Sequence, residues 1–575
     1  MNKTSVYLED SVFCVVCPVW DNQRAKDIPD RKWSPKNKRW EAPATLSNAK
    51  YLADKYRSSE MCNRTIELTH EMIEASKNRP PFPSWYQFKS EPLKCQVEAL
   101  NRAFKHDEFA YIMDMGTGKT FTAINFGAAK AMMGEINGML VVCDTTGKPV
   151  WRKEFEKFCP IDYDMFVMEQ GKQNAANRWI NTPSDRFKVL VLGVESLSTG
   201  PYAKEVGFNF LSKYTCYMAI DESSSIKNPK YNKKAQRQSR THVCWDMGGL
   251  ARFRAILNGT PIEEGVEDFF AQFRFLNWQI IGEKNFTLFK AKYCVMGGFE
   301  NRKITGYMNL HELFERIAPY IYDVRITDVE DMPGQSYETV YCDPTPEQKK
   351  ALKELGDPMM TTTQGDLELV CETILERMTR YQQIVGGYFP YDIPAEEKAM
   401  LRKSDPRHKV ARIKGKNPKM EALFETINHL APSRKAVVWA NFAPERLDIV
   451  DECEKRGISF VHMGSGLSAD EKYDLMEEFQ TNDDIKLFIT SQKIGAKSVT
   501  LHAATCSIYY SNGHSYSQRE QSERRIWRKG QKYPCLYIDI TMNEKTDLKI
   551  IKAHADKKSL AEYVMDEIKS HSEIT

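Results

Sequence analysis

The chain has 575 residues, enough for about three or four domains of ordinary size. Its 42% hydrophobic and 28% charged content is globular rather than disordered, and a formal net charge of only +3 leaves any nucleic-acid affinity to local patches. No apolar run approaches the ~20 residues that cross a bilayer, the first residues lack signal-peptide order, and 14 scattered cysteines suit reduced thiols better than a disulfide framework.

Residues 1–85 are rich in Trp, Pro and basic residues and end in the breaker "NRPPFPSW". Within them, residues 22–40 ("NQRAKDIPDRKWSPKNKRW") carry seven basic and two acidic residues, a local +5. Trp33 and Trp40 are interleaved with Arg31, Lys32, Lys38 and Arg39. Such aromatics can stack on unpaired bases while the cations hold phosphates; equally, the Trp pair can form the mini-core of a small β-hairpin. Cys14 and Cys17 make a C-x-x-C with no second ligand pair at metal spacing, which favours a buried strand over zinc.

From about 90 to 330, short apolar runs ("FAYIMDM", "GMLVVCD", "KVLVLGV", "CYMAIDE", "FRAILNG") alternate with helical periods, the pattern of a parallel sheet in an α/β domain. The alternation returns from about 410 to 540, in "KAVVWANF", "IKLFITS", "CSIYYSN" and "CLYIDI". The residues between read as helical. The expected fold is α/β, with parallel-sheet lobes at 86–335 and 410–575, a helical bridge at 336–409 and the small module at 1–85.

The stretch "MDMGTGKT" falls in a strand-to-helix turn. There Met115, Gly116, Thr117 and Gly118 can present backbone N–H groups to phosphate oxygens at the positive end of a helix. Lys119, read as a surface cation of the loop, reaches the β- and γ-phosphates, and Thr120 holds Mg²⁺. Met113 stands where the strict pattern has its first glycine, at a point where the strand is still ending. About a hundred residues on, "CYMAIDESSSIKN" ends an apolar run in Asp221-Glu222. One carboxylate there can hold Mg²⁺ through water and the next can orient or deprotonate the attacking water. The pairing predicts an NTPase. Residues 227–240 then carry six basic and no acidic residues, with Lys230, Lys234 and Arg237 at helical spacing, either a solvated face or a phosphate contact.

In these motifs the chain resembles superfamily 2 helicase-like ATPases of the Swi/Snf type over roughly residues 90–560. "MDMGTGKT" looks like motif I, "VVCDTTGKPVWRKEF" with Trp151 like Ia, and "DESSSIKN" like motif II. "RAILNGTPIEEGVEDFFAQFRFL" is similar to motif III, with Gly259, Thr260 and Pro261 in the coupling positions. "SQKIGAKSVTLHAA" sits at motif V, and "QSERRIWRKGQ" fits motif VI with Gln521, Arg525 and Arg528 at Q-x-x-x-R-x-x-R spacing. The resemblance implies two RecA-like lobes, ATP with Mg²⁺, Gln96 as the adenine-recognition glutamine, Gln521 at the nucleotide, and Arg525 and Arg528 acting like arginine fingers on lobe closure. Departures are Ser224, Arg524, Ala496 and Ser498, where relatives carry His, Gly or Asp, and glycines, and Cys95 before Gln96. "IPDRKWSPKNKRWEAP" resembles the HARP module of annealing helicases, which implies branched-DNA recognition through Arg31, Lys32, Trp33 and Trp40.

The expectation is an ATP-dependent translocase on double-stranded DNA that anneals strands or remodels forks. A strand-separating DNA or RNA helicase and a binding scaffold with little turnover are the alternatives. A cytoplasmic location near DNA, in the nucleoid or a host cytoplasm, and no membrane partner are expected with it.

Overall fold

The structure is a computed structural model. It describes residues 3–574 other than 10–11, 29–30, 78, 146, 230–238, 298–302, 357–361, 365–366, 370–373, 394–407, 432–433, 496–498 and 514.

Four antiparallel strands open the chain: β1 (Ser5–Glu9), β2 (Val12–Val16), β3 (Lys32–Ser34) and β4 (Arg39–Pro43), in the order β1-β2-β4-β3. Val6, Phe13, Val15 and Ala42 bury one face against the helices Leu46–Lys55 and Asn63–Lys77. Cys14 is a buried residue of β2.

The next sheet is built from β5 (Glu108–Met113), β6 (Gly138–Cys143), β7 (Tyr163–Val167), β8 (Phe187–Gly193), β9 (Cys216–Asp221) and β10 (Phe253–Asn258). After the separate hairpin β11 (Cys294–Gly297) and β12 (Lys303–Tyr307), β13 (Ile321–Val324) completes it. The order is β13-β5-β10-β9-β6-β8-β7, and every pairing is parallel. β5, β6, β8 and β10 are buried along their whole length, because helices cover both faces of a parallel sheet and leave no polar side to alternate with.

A second parallel sheet of six strands has the order β14-β23-β22-β19-β21-β20. Its members are β14 (Gln335–Cys342), β19 (Lys435–Trp439), β20 (Phe460–His462), β21 (Leu487–Thr490), β22 (Ala504–Tyr509) and β23 (Cys535–Met542). Two hairpins lie between, β15 (Thr362–Gln364) with β16 (Leu367–Leu369) and β17 (Tyr388–Asp392) with β18 (His408–Arg412). Apolar clusters cover each face of this sheet, one around Leu423, Ile449 and Ile508, the other around Trp439, Phe488 and Tyr537.

The chain divides into two units, residues 1–329 with 561–575, and residues 330–560. The expected helical bridge is in part strand. Residues 335–342 pair with β23 over eight positions, and β17 and β18 follow the helices Pro346–Gly356 and Ile374–Val385. "QSYETVYC" has no strict alternation of apolar and polar residues and stays largely exposed at the sheet edge, so it gives a weaker local signal than the helical period beside it. The N-terminal sheet packs within the first unit: Trp278 joins its core, and Lys284 Nζ donates to the Lys26 carbonyl at 2.6 Å. Among the described residues, no helix is long and apolar enough to cross a membrane.

Candidate nucleotide site

β5, β10 and β9 are neighbours, and in register Leu257 of β10 lies opposite both Tyr111 of β5 and Asp221 of β9. The three strands therefore deliver their carboxyl ends side by side, the edge at which open parallel sheets bind ligands. β5 ends in a loop that turns into the helix Lys119–Met132. Gly116 (φ +90°) and Gly118 (φ +95°) are left-handed there, and a Cβ on Gly118 would come within 2.0 Å of Gln96 Nε2. Only glycine fits.

The loop is held from three sides. Thr117 Oγ1 donates to the Asp114 carbonyl (2.8 Å), the Asp114 N–H donates to the Val324 carbonyl (3.0 Å), and the Asp114 carboxylate accepts the Ile326 N–H (3.1 Å). Gln96 Nε2 donates to the Thr117 carbonyl (3.1 Å) and braces the loop, while its Oε1 accepts the Leu93 N–H (2.9 Å) and caps the start of its own helix, Lys94–Ala103. Met115 and Thr120 are partly exposed and Gly116 is exposed. Lys119 is not the surface cation expected: it is only 9% exposed and donates to the Met113 carbonyl at 2.8 Å. Its stem packs in the sheet edge, and the strand's last carbonyl satisfies the ammonium there. A Cβ on Gly259 would lie 3.5 Å from Lys119 Nζ, so the Gly259–Pro261 loop adjoins that amine.

Asp221 closes β9, and one carboxylate oxygen accepts the indole N–H of Trp151 (2.9 Å), the other the Glu222 N–H (3.0 Å). Burial and the adjacent Glu222 push its pKa up to about 7, against the opposing pull of Lys119 and Trp151. Such an under-compensated carboxylate beside a second acid fits a divalent cation, and Asp221, with Thr120 of the loop, would hold Mg²⁺. Glu222 has a left-handed backbone (φ +48°). Lys227 of the same segment reaches Glu263 (2.7 Å) just past Pro261.

In the second unit, Gln521 lies on the helix Tyr516–Glu523 and its Nε2 donates to Ser517 Oγ (3.3 Å). Arg525 and Arg528 lie past the end of that helix, not on a solvated helical face. Arg525 is 4% exposed and donates to the Val499 carbonyl (3.0 Å), and Arg528 donates to Thr500 Oγ1 (2.7 Å). Both thus anchor on the segment after Gly495. Burial lowers the Arg528 pKa, although the residue stays partly exposed.

Lys230, Lys234 and Arg237, like Ala496 and Ser498, lie outside the described residues. On the N-terminal sheet, Trp33 stands opposite Trp40 across β3 and β4, the rings edge-to-face at 5.2 Å. Trp40 is tied down by its N–H to Asn22 Oδ1 (2.7 Å) and by Arg31 over its ring (5.9 Å), whereas Trp33 is 48% exposed and Lys32 is exposed. Sequence reasoning gave no role to Asp114, Asn258 or Gln272, and named Trp151 only as a marker of the Ia-like stretch. Asn258, beside Gly259 at a strand end, carried a local signal.

Residues 110–387 match the SNF2-related domain, and residues 418–530 match the helicase conserved C-terminal domain. The chain belongs to the Swi/Snf-type helicase-like ATPases. The SNF2-related match takes in β5 to β10 with Lys119, Asp221 and Glu222, and the helicase C-terminal match takes in Gln521, Arg525 and Arg528. This Swi/Snf-type chain is 23% identical over 493 residues to a DNA repair and recombination protein RAD54-like of Drosophila pseudoobscura pseudoobscura, covering 79% of this chain and 60% of that protein. It is 24% identical over 490 residues to the DNA repair and recombination protein RDH54 of Saccharomyces cerevisiae, covering 78% and 50%. The chain thus spans about half to three-fifths of the curated relatives it matches. Among solved structures, the Sulfolobus solfataricus SWI2/SNF2 ATPase core in complex with double-stranded DNA aligns with 21% identity and a TM-score of 0.36, covering 86% of this chain and 96% of that one.

Proposed function

We propose that this protein hydrolyses ATP to move along double-stranded DNA, and that the movement serves strand annealing or fork remodelling. The observation that carries the proposal is the gathering of the 115–120 loop, Asp221, Glu222 and the Gly259–Pro261 loop on the carboxyl edge of three adjacent strands. The backbone N–H groups after Gly116 and the Lys119 ammonium bind and orient the phosphates. Asp221 and Thr120 hold Mg²⁺, which when bound neutralises phosphate charge. Glu222 takes the proton of the attacking water at its carboxylate. Arg525 and Arg528 stabilise the transferring phosphoryl group, Gln521 contacts the nucleotide, and Gln96 sets the shape of the loop at the base's side. Residues 1–85 act as the reader of branched DNA, and the domains built on the seven-stranded and six-stranded parallel sheets act as the motor lobes. Relatives named for DNA repair and recombination support a DNA track.

ATPase rates with duplex, forked and single-stranded DNA and with RNA test this, with Lys119→Ala as the control. Duplex and fork should stimulate most, and Lys119→Ala should reduce turnover by about 10²-fold or more, the scale of losing a charge aimed at the transition state. Equal stimulation by RNA, or near-normal turnover in Lys119→Ala, would overturn the reading.

A further inference from the structure

A closed ring of hydrogen bonds lies directly behind Glu222. Asn258 Nδ2 donates to Ser223 Oγ (3.2 Å), Ser223 Oγ donates to Gln272 Oε1 (2.6 Å), and Gln272 Nε2 donates to the Pro261 carbonyl (2.8 Å). Pro261 follows Thr260, whose N–H returns to Asn258 Oδ1 (2.9 Å). The second Nε2 proton of Gln272 goes to the Asp268 carbonyl (2.9 Å) within its own helix, Asp268–Ile281. Ser223 and Gln272 are fully buried and Asn258 is 1% exposed.

The direction of every bond follows from the donor count. The single hydroxyl proton of Ser223 is spent on Gln272, so Ser223 must accept from Asn258. Both amide protons of Gln272 are used, so its oxygen is the acceptor that closes the ring. A buried polar ring satisfied in this way is rigid, and removing one member leaves the others unpaired away from water.

What the ring holds is a conformation that side-chain-bearing residues resist. Glu222 is left-handed, and it precedes the anchored Ser223. Its carbonyl accepts the Ser225 N–H (2.9 Å), which closes the turn from the other side. Strained backbone of this kind persists only where its surroundings over-determine it. We propose that Gln272 is a positioning residue. From a helix outside the phosphate loop it fixes the Glu222 turn and the Thr260–Pro261 loop in one register, so that the carboxylate faces the attacking water. The inference rests on the reaction proposed above for Glu222.

The test compares the full chain with Gln272→Leu, Ser223→Ala and the double variant, by thermal unfolding and by steady-state ATPase with duplex DNA. Each single variant should lose about tenfold in kcat, the value of ~1.4 kcal/mol in barrier, with KM for ATP within about twofold. The double variant removes both partners of the Ser223–Gln272 bond at once but still leaves Asn258 Nδ2 and the Pro261 carbonyl unpaired, so it should lose less thermal stability than the two single losses summed, while kcat stays low. Recovery of kcat together with stability in the double variant would show that the ring only packs, and would overturn the inference alone. A rise in KM with kcat unchanged would do the same. A parent protein with no nucleic-acid-stimulated hydrolysis would overturn both the inference and the functional reading.

Discussion

Trp151 shows how much one remote side chain adds to a carboxylate. Its indole is buried and spends its only donor on Asp221, which burial and Glu222 together push up to about 7. A hydrogen bond to the charged form holds that value down, so losing it raises the pKa further. Trp151→Phe keeps most of the packing and removes the donor. Its pH–rate profile should shift its acid limb upward by about one pH unit, the equivalent of a charge-assisted hydrogen bond of ~1.5 kcal/mol. It should also need more Mg²⁺ for half-maximal rate. An acid limb that stays in place would show that the indole supports the fold and not the ionisation of Asp221.

Among elements, the start of the helix Ala443–Arg456 carries a second buried acid with a separate consequence. Glu445 is fully buried, accepts Ser511 Oγ (2.6 Å) and the Phe442 N–H (3.2 Å), and burial pushes its pKa from 4.5 to about 7. The folded state therefore keeps a proton that the unfolded chain releases near pH 4.5. That contribution to stability is complete below about 4.5 and lost as pH rises through about 7. Glu445→Gln should flatten the decline of stability across this window by on the order of 3 kcal/mol at most, read from denaturant midpoints at pH 5 and 8. The same pH slope in parent and variant would mean that Glu445 is ionised in the fold.

For the whole molecule, the N-terminal sheet is part of the first unit, so deleting residues 1–85 would uncover Trp278 and free Asp107 from Arg79 (2.8 Å). Deletion would confuse loss of DNA reading with loss of structure. Exposed Lys32 offers a cleaner probe of the proposed branched-DNA reader. Lys32→Glu should weaken fork binding and reduce its salt slope by about one, while duplex-stimulated hydrolysis stays within about twofold. Unchanged fork affinity and slope at several salt concentrations would assign this face to support of the first lobe.

The sequence by itself determined the features set by local backbone chemistry. Gly116 and Gly118 stand where the turn is left-handed, Asp221-Glu222 stand at a strand end, and uninterrupted apolar runs marked strands buried on both faces. Each is written within a few residues, by sterics or by burial. Only the tertiary structure decided which strands are neighbours, and so which side chains meet. β14 pairs with β23 across 200 residues of chain, Trp151 reaches Asp221 from 70 residues away, and Gln272 bonds Ser223 across 49. Lys119 likewise reads as a loop cation until the sheet edge encloses it. Such contacts arise because faces that match in shape and polarity exclude water together, and that selection leaves no period or spacing along the chain.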